Sequence, residues 1–379
     1  MNSYQQQKTD IIAKVCLGKM TIRDAVVILN KSHRTIERYI KKYKERGVVS
    51  VIHGNANKRP SNKFPTDKKN KILGLMKEKY YDFNLTHALE FLREQEHIDI
   101  KYSTFRRICQ NQFFLTKVKS NRREKKNKPR TLRDRTSQPG ILLQMDGSYH
   151  KWFNGKEYCL ITLIDDANSE IIFAKFSPSE STFSCMEAVR EVIEQRGLFS
   201  AIYTDHAGVY GGNKRQYFCQ FKRAVEELGI NVIFANSPQA KGRIERSYRT
   251  LQDRLIPEMR LKGINNVEDA NKFIQEYFIP FVWNKKFTIR PIIECSGFRS
   301  LFSQANLKEI FCVKEYRQIK NDHTFSFGTN LLQIMNPGEY SLSGEEIEVR
   351  IYPNEEIKFY FQNKLLIVEK VESRIKQAA

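Results

Sequence analysis

The sequence predicts a multidomain chain. It has helix-turn-helix modules at the N-terminus (all-α), a central α/β region built on a mixed five-stranded sheet, and a small antiparallel β-barrel at the C-terminus. Three observations predict this. Apolar residues recur at helical spacing through the first 112 residues, as in Ile22, Ala25, Val26 and Leu29. From residue 140, strand-like runs alternate first with turns and then with helices. From residue 310 to 372 the runs are short and alternating, with turn residues between them. At 379 residues the chain exceeds the ~150 expected of one domain.

The N-terminal elements read in order as residues 10–17, 21–29 and 33–46. Asn30-Lys31 makes a short turn and Ser32 an N-cap, and Gly47 closes the third helix. This is a helix-turn-helix over residues 1–52. Arg34, Thr35 and Arg38 lie near the start of its second helix, where a recognition helix meets base edges. A linker rich in Gly, Asn, Lys and Pro follows, over 53–64. Residues 66–112 form a second helix-turn-helix-like block. Ser103 is read there as a cap, and Arg106 and Arg107 as DNA contacts.

Residues 113–139 form a basic linker. Its stretch Lys117–Arg135 holds ten basic and two acidic residues. The composition fits a free, solvated segment or a strap that orders on phosphates. The whole chain has 64 Lys plus Arg against 43 Asp plus Glu, a net charge of +21. Such a surplus implies a polyanionic partner, and nucleic acid is favoured over an anionic membrane. No apolar run approaches the ~20 residues of a membrane span. A cytoplasmic protein at the bacterial nucleoid is expected. The seven cysteines are scattered singly, without a Cys-x-x-Cys pair, so reduced and mostly buried thiols are expected and a zinc module is not.

Residues 140–285 carry the chemistry. Strands are predicted at 141–145, 157–164, 170–176, 201–204 and 231–235. Helices are predicted at 182–196, 214–228 and 242–256, the last ending or kinking at Pro257. Asp146 ends the first run and Asp205 the fourth, while Glu245 lies in the last helix; 58 residues separate the first pair and 39 the second. If the first and fourth strands are neighbours, both aspartates reach one edge of the sheet. Phosphodiester chemistry needs an activated oxygen nucleophile and charge relief on the leaving oxygen, which two divalent ions ~4 Å apart supply. Mg²⁺ prefers oxygen ligands, so carboxylates on a rigid frame suit it.

Three segments then carry a resemblance. They are Gln144-Met145-Asp146-Gly147-Ser148, Tyr203-Thr204-Asp205-His206-Ala207-Gly208, and the run from Ala235 to Arg246 that contains Ser237-Pro238-Gln239-Ala240-Lys241-Gly242-Arg243-Ile244-Glu245. Together they resemble the integrase-core (retroviral-integrase-like) DDE superfamily, in particular bacterial insertion-sequence transposases of the ISNCY type. The match covers about a third of the chain, residues 140–260.

The resemblance implies an RNase H-like catalytic core and a DNA transposase, both endonuclease and strand transferase, using two Mg²⁺ (or Mn²⁺) ions. It implies 3′-end cleavage at terminal inverted repeats and joining to target DNA. Asp146 would bind both ions, and Asp205 and Glu245 one each. The partners implied are double-stranded DNA, both element ends and target, with a homo-oligomer assembled on it and no membrane. The spacing to Glu245 is longer than the family's usual one, and an extra turn at Gly211-Gly212-Asn213 would absorb it.

Bland readings stand beside these. Asp146-Gly147 is a turn signal, and Glu245 is spaced to pair with Arg249 on a helix surface. Asp165-Asp166 is a rival carboxylate pair at a strand end, and His206 and His150 are loop candidates near the site. Trp152 and Phe153 fit a core better than a stacking platform. Asn236, Gln239, Lys241 and Arg249 are candidate DNA contacts, whereas Arg243 and Arg246 face elsewhere. Two further functions remain open: a DNA-binding regulator derived from a transposase, and a structure-selective RNase H-fold nuclease.

Overall fold

A computed structural model of the chain describes residues 3–51, 64–112, 134–205, 208–210, 219–235, 242–338 and 341–371. They fall into two compact units, Met1–Lys71 and Ile72–Ala379.

The first unit holds α1 (Ser3–Cys16), α2 (Ile22–Leu29) and α3 (His33–Arg46) around Ile11, Ile12, Ala25, Leu29 and Ile36. Helix α1 begins earlier than its apolar residues suggest, because Gln5–Gln7 favour helix without marking a face. Thr21 and Asp24 form a capping box at the start of α2. Asn30, at φ 48°, turns the chain in the left-handed region, and the Ser32 side chain caps α3.

The boundary between units falls within α4 (Thr66–Glu78). Helices α5 (Leu85–Glu94) and α6 (Tyr102–Gln110) follow. Ser103 is not a cap: α6 starts at Tyr102, behind Lys101, which makes no side-chain capping bond.

The central sheet has five strands in the order β3-β2-β1-β4-β5. Strands β1 (Leu142–Phe153), β2 (Lys156–Asp165) and β3 (Ile171–Ser177) run antiparallel, while β4 (Ala201–Thr204) and β5 (Asn231–Phe234) continue in parallel from β1. Asn154 and Gly155, at φ 47° and 75°, form the tight turn between β1 and β2. Strand β1 does not end at Met145. It runs through Asp146-Gly147 because β2 pairs with it as far as Phe153.

Alternation gives the sheet two apolar faces. Leu143, Met145 and Leu163 pack against α7 (Thr182–Arg196) and α8 (Gln220–Glu227). Trp152, Leu160, Ile164 and Phe176 pack on the other side against α9 (Gly242–Leu261), α10 (Val267–Phe273) and the π-helical stretch Ile274–Trp283. Trp152 and Phe153 are therefore core residues. Pro257 does not end α9, which continues to Leu261. The cost of an interior proline, ~3 kcal/mol, is offset by burial of Leu255, Pro257 and Met259.

The C-terminal strands do not form one closed ladder among the described residues. Among the described residues they form a four-stranded sheet, β11-β10-β9-β6, and a three-stranded sheet, β12-β8-β7. The strands are β6 (Val313–Gln318), β7 (Thr324–Phe327), β8 (Asn330–Ile334), β9 (Glu346–Ile351), β10 (Ile357–Phe361), β11 (Lys364–Leu365) and β12 (Val368–Lys370). Ile319, Phe325, Ile334, Ile347 and Leu366 form a core from both sheets. The chain leaves β11 at Leu365 and enters β12 at Val368, so these adjacent strands belong to different sheets.

All seven cysteines are free; four are buried and Cys295 is exposed. Burial pushes the Cys109 thiol up to about 11. Among the described residues no helix is long and apolar enough to cross a membrane.

Polar clamps join α5 and the turn before it to α9. His87 and Glu258, both buried, meet at 2.9 Å. Arg254 makes two bonds to Glu90, at 2.7 and 2.9 Å, and Arg260 makes two to Asp82, at 2.7 and 2.8 Å. Lys286 reaches Glu90 at 2.9 Å. Burial alone would raise the Glu90 carboxyl, but Arg254 and Lys286 outweigh it and bring it down to about 2. A carboxyl lowered on folding stabilises above its ordinary value and loses that contribution as pH falls through the lowered one. Glu90→Gln is expected to cost about 2 kcal/mol near neutral pH, less than breaking a fully buried pair. In urea titrations the gap to the parent should close between about pH 4.5 and 2; a gap independent of pH would assign the loss to packing.

Candidate active site

The ladder between β1 and β4 matches Leu142 with Ala201, Leu143 with Ile202 and Gln144 with Tyr203. Asp146 and Asp205 each stand two residues beyond the last matched pair. Continuing the register sets them opposite one another on the same face, with backbones about 5 Å apart. Strand β4 ends at Thr204, so Asp205 leaves the sheet there while β1 goes on past Asp146. Both aspartates are half-buried.

Helix α9 lies along this face. The Tyr248 hydroxyl donates to the main-chain carbonyl of Asp146 and lies 3.2 Å from that of Leu160 on β2. Burial, then the charge of Asp146, raises the Tyr248 phenol well above its ordinary value, so it remains a donor. Gln252 reaches Ser148 at 3.3 Å. Glu245 is seven residues before Gln252, hence on the same stripe of the helix, and about one turn before Tyr248. It is exposed in the first turn and has no hydrogen bond or ion pair among the described residues. It does not pair with Arg249, which is also exposed.

The β1–β4 register points Asp146 and Asp205 to neighbouring positions at the sheet edge, and the helical repeat puts Glu245 on the stripe of α9 that carries Gln252. Among the described residues, however, no three His, Cys, Asp or Glu side chains are grouped closely enough to hold a metal ion. Three carboxylates without a cation between them repel.

The donor set fits a hydrated divalent ion. Its acids are hard oxygen ligands. Among the described residues the buried Gln144 Oε1, two residues before Asp146 on β1, has no hydrogen-bond partner.

Asp165 and Asp166 are both buried and structural rather than a second acidic pair at the site. Asp165 accepts from the N–H groups of Gly140 at 2.7 Å and Ala167 at 2.8 Å. Burial nevertheless pushes its carboxyl up to about 6. Asp166 accepts from Gln144, Thr136 and Arg243. Arg246 turns back to the carbonyl of Gly242 at 2.8 Å. His150 packs edge-on against Trp152.

Arg34, Arg38, Arg106 and Arg107 are exposed on α3 and α6. Thr35 is half-buried, and its hydroxyl is 2.9 Å from that of Ser32, within the cap. His206, Asn236, Gln239, Lys241, the predicted turn at 211–213 and most of the basic linker lie outside the described residues.

Sequence reasoning missed Gln144, Tyr248 and Glu180. A Cβ on Gly147 would come within 2.8 Å of the Glu180 carboxyl and of Cys159 Sγ. Glycine therefore follows Asp146 because Glu180 packs over it, and the buried Tyr210 hydroxyl donates to Glu180. Only the Asp-Gly pair hinted at this close approach.

No protein-family model matches the chain. It is 31% identical over 361 residues to "Putative transposase y4bF" of Sinorhizobium fredii, covering 93% of this chain and 78% of that protein. It is 30% identical over 314 residues to the "Transposase for insertion sequence IS1202" of Streptococcus pneumoniae, covering 73% of this chain and 67% of that one. Among solved structures, an intasome of simian T-cell lymphotropic virus in complex with PP2A regulatory subunit B56 gamma aligns at 13% identity. That alignment covers 80% of this chain and 100% of that chain, with a TM-score of 0.37. The chain belongs to the transposases, the family of both relatives.

Tyr248→Phe is expected to cost about 1 kcal/mol, the usual net worth of one buried hydrogen bond. Urea unfolding measures it, and a change indistinguishable from zero would mean that this hydroxyl does not hold α9 to β1.

Proposed function

We propose that the chain binds the terminal inverted repeats of its mobile element, cleaves the 3′ ends and joins them to target DNA by two-metal phosphoryl transfer. The observation that carries this reading is the β1–β4 register, which leads to Asp146 and Asp205 as neighbours on the face that α9 covers. Membership of the transposases supports the class of reaction.

In this reading Asp146 would hold both Mg²⁺ (or Mn²⁺) ions, and Asp205 and Glu245 one each. When bound, the ions activate the attacking oxygen and neutralise charge on the leaving one. Glu245, exposed in the first turn of α9, would complete the set of acids that hold the ions. Tyr248 anchors the next turn to the backbone of Asp146. No side chain serves as nucleophile. The work of the protein is to aim carboxylates and hold the DNA.

The domains divide that work. Residues 1–52 and 66–112 are the end-reading modules, with Arg34, Thr35, Arg38, Arg106 and Arg107 as contacts. Residues 113–139 are a phosphate-binding strap, and 140–285 the catalytic core. Residues 310–372 form an accessory β domain. Asn236, Gln239, Lys241 and Arg249 contact DNA beside the scissile bond. The net charge of +21 supports this, and it predicts strongly salt-dependent affinity. The active form is a homo-oligomer that holds two ends together, working in the bacterial cytoplasm on the nucleoid.

Asp146→Asn should abolish Mg²⁺-dependent nicking of DNA carrying the element ends, with DNA affinity in metal-free buffer unchanged within a few-fold. Retained metal-dependent nicking would remove Asp146 from the assigned role. Replacing Arg34 and Arg38 together by Ala should narrow the preference for element ends over random DNA by about 1–3 kcal/mol per lost base contact. Competition binding reads this, and an unchanged preference would move end reading elsewhere in the chain.

A further inference from the structure

We propose that Asp166 is a positioning residue that sets Glu245 relative to Asp146; this rests on the three-carboxylate reading above. Its carboxyl is buried, at 1% exposure. Oδ1 accepts from Gln144 Nε2 at 2.5 Å and from Arg243 Nη1 at 2.6 Å, and Oδ2 accepts from the Thr136 N–H at 2.9 Å. The Asp166 N–H donates to the carbonyl of Leu142 at 3.0 Å.

Gln144 and Arg243 are the informative partners. Gln144 precedes Asp146 by two residues on one strand, so both side chains share a face. Arg243 precedes Glu245 by two residues in the first turn of α9. One oxygen of one carboxylate therefore joins the strand that carries the first acid to the helical turn that carries the third. Asp165, its neighbour, is bonded instead to the turn N–H groups of Gly140 and Ala167. The two aspartates divide the work: Asp165 shapes the turn and Asp166 ties the site.

Arg243 keeps its own charge occupied by Asp166, 2.6 Å away, rather than by Glu245. That leaves the Glu245 carboxylate without an ion-pair partner among the described residues, in the first helical turn. If the Arg243–Asp166 pair breaks, the turn that carries Glu245 loses its tie to Gln144. The placement of Glu245 then changes. A pair that merely fixed the fold would alter stability and leave metal binding untouched.

The test is Mn²⁺ binding by the full-length protein, followed as loss of the free-ion electron paramagnetic resonance signal, alongside thermal melting. Asp166→Asn and Arg243→Gln should each weaken Mn²⁺ binding about tenfold, the lower end for partners that orient metal ligands. The double variant should be no weaker than either single one, because both remove the same link. Arg243→Lys, which keeps the charge, should recover part of the loss; it and Arg243→Gln carry the test if Asp166→Asn fails to fold.

Mn²⁺ binding within twofold of the parent in variants that only melt earlier would overturn the proposal. Glu245→Gln separates the two readings. If it weakens Mn²⁺ binding and the Asp166 and Arg243 variants do not, the role of Asp166 alone is lost. If Glu245→Gln has no effect, the three-carboxylate reading falls and this inference with it.

Discussion

The site depends on one constraint: α9 is laid along β1 and advances in step with it. Tyr248 bonds to the backbone of Asp146, and Gln252 bonds to Ser148. Four helical residues rise about 6 Å and two strand residues about 6.7 Å. The two elements therefore keep level over this stretch, and the height of Glu245 above the sheet edge follows from the ladder. Arg243 fixes the near end of the helix through Asp166. Arg254, Glu258 and Arg260 fix the far end against the Asp82–Glu90 region. A helix pinned at both ends, with Pro257 absorbed in its interior, can present one first-turn carboxylate without the rest of the element shifting.

The sheet contributes an opening of its own. Strand β4 stops at Thr204 while β1 continues under the cover of β2, so the ladder splits where the two aspartates stand. The gap exposes carboxylates on a rigid edge, and β-sheet backbone is a more exact mount than a loop. On the opposite face Glu180 lies against Gly147 and takes the Tyr210 hydroxyl. The floor of the site is thus occupied by side chains that leave no room for a residue larger than glycine.

Much of this was legible in the sequence, for identifiable reasons. Helix α3 was readable at both ends because Ser32 caps one and Gly47 the other. The five strands of a mixed sheet followed from three apolar runs and two strand-helix units, while the adjacency of the first and fourth strands is legible only in the ladder itself. The end of β1 was misread because Asp146-Gly147-Ser148 has turn chemistry, while pairing with β2 decides its state. Strand β6 escaped notice because Lys314, Glu315 and Arg317 leave little apolar signal on a half-exposed strand. Alternation reveals strands but not whether their ladder closes, so the barrel expected over 310–372 and the two sheets observed share one local pattern. Asp166 read as a rival acid, since nothing local tells a buried acceptor of an arginine from an exposed ligand. Tyr248 gave no sign because its partner is a backbone carbonyl far away in sequence.

The clamps on α9 also shape the long-range field of the molecule. Asp82 and Glu90 face guanidinium or ammonium groups at under 3 Å. At that separation the opposite charges largely cancel for any ion more than a Debye length away, ~8 Å in physiological salt. Each such pair is nearly neutral at that range, so the pull on an approaching polyelectrolyte comes from the surplus of basic over acidic residues, a net +21, and the paired cations of α9 serve the scaffold instead.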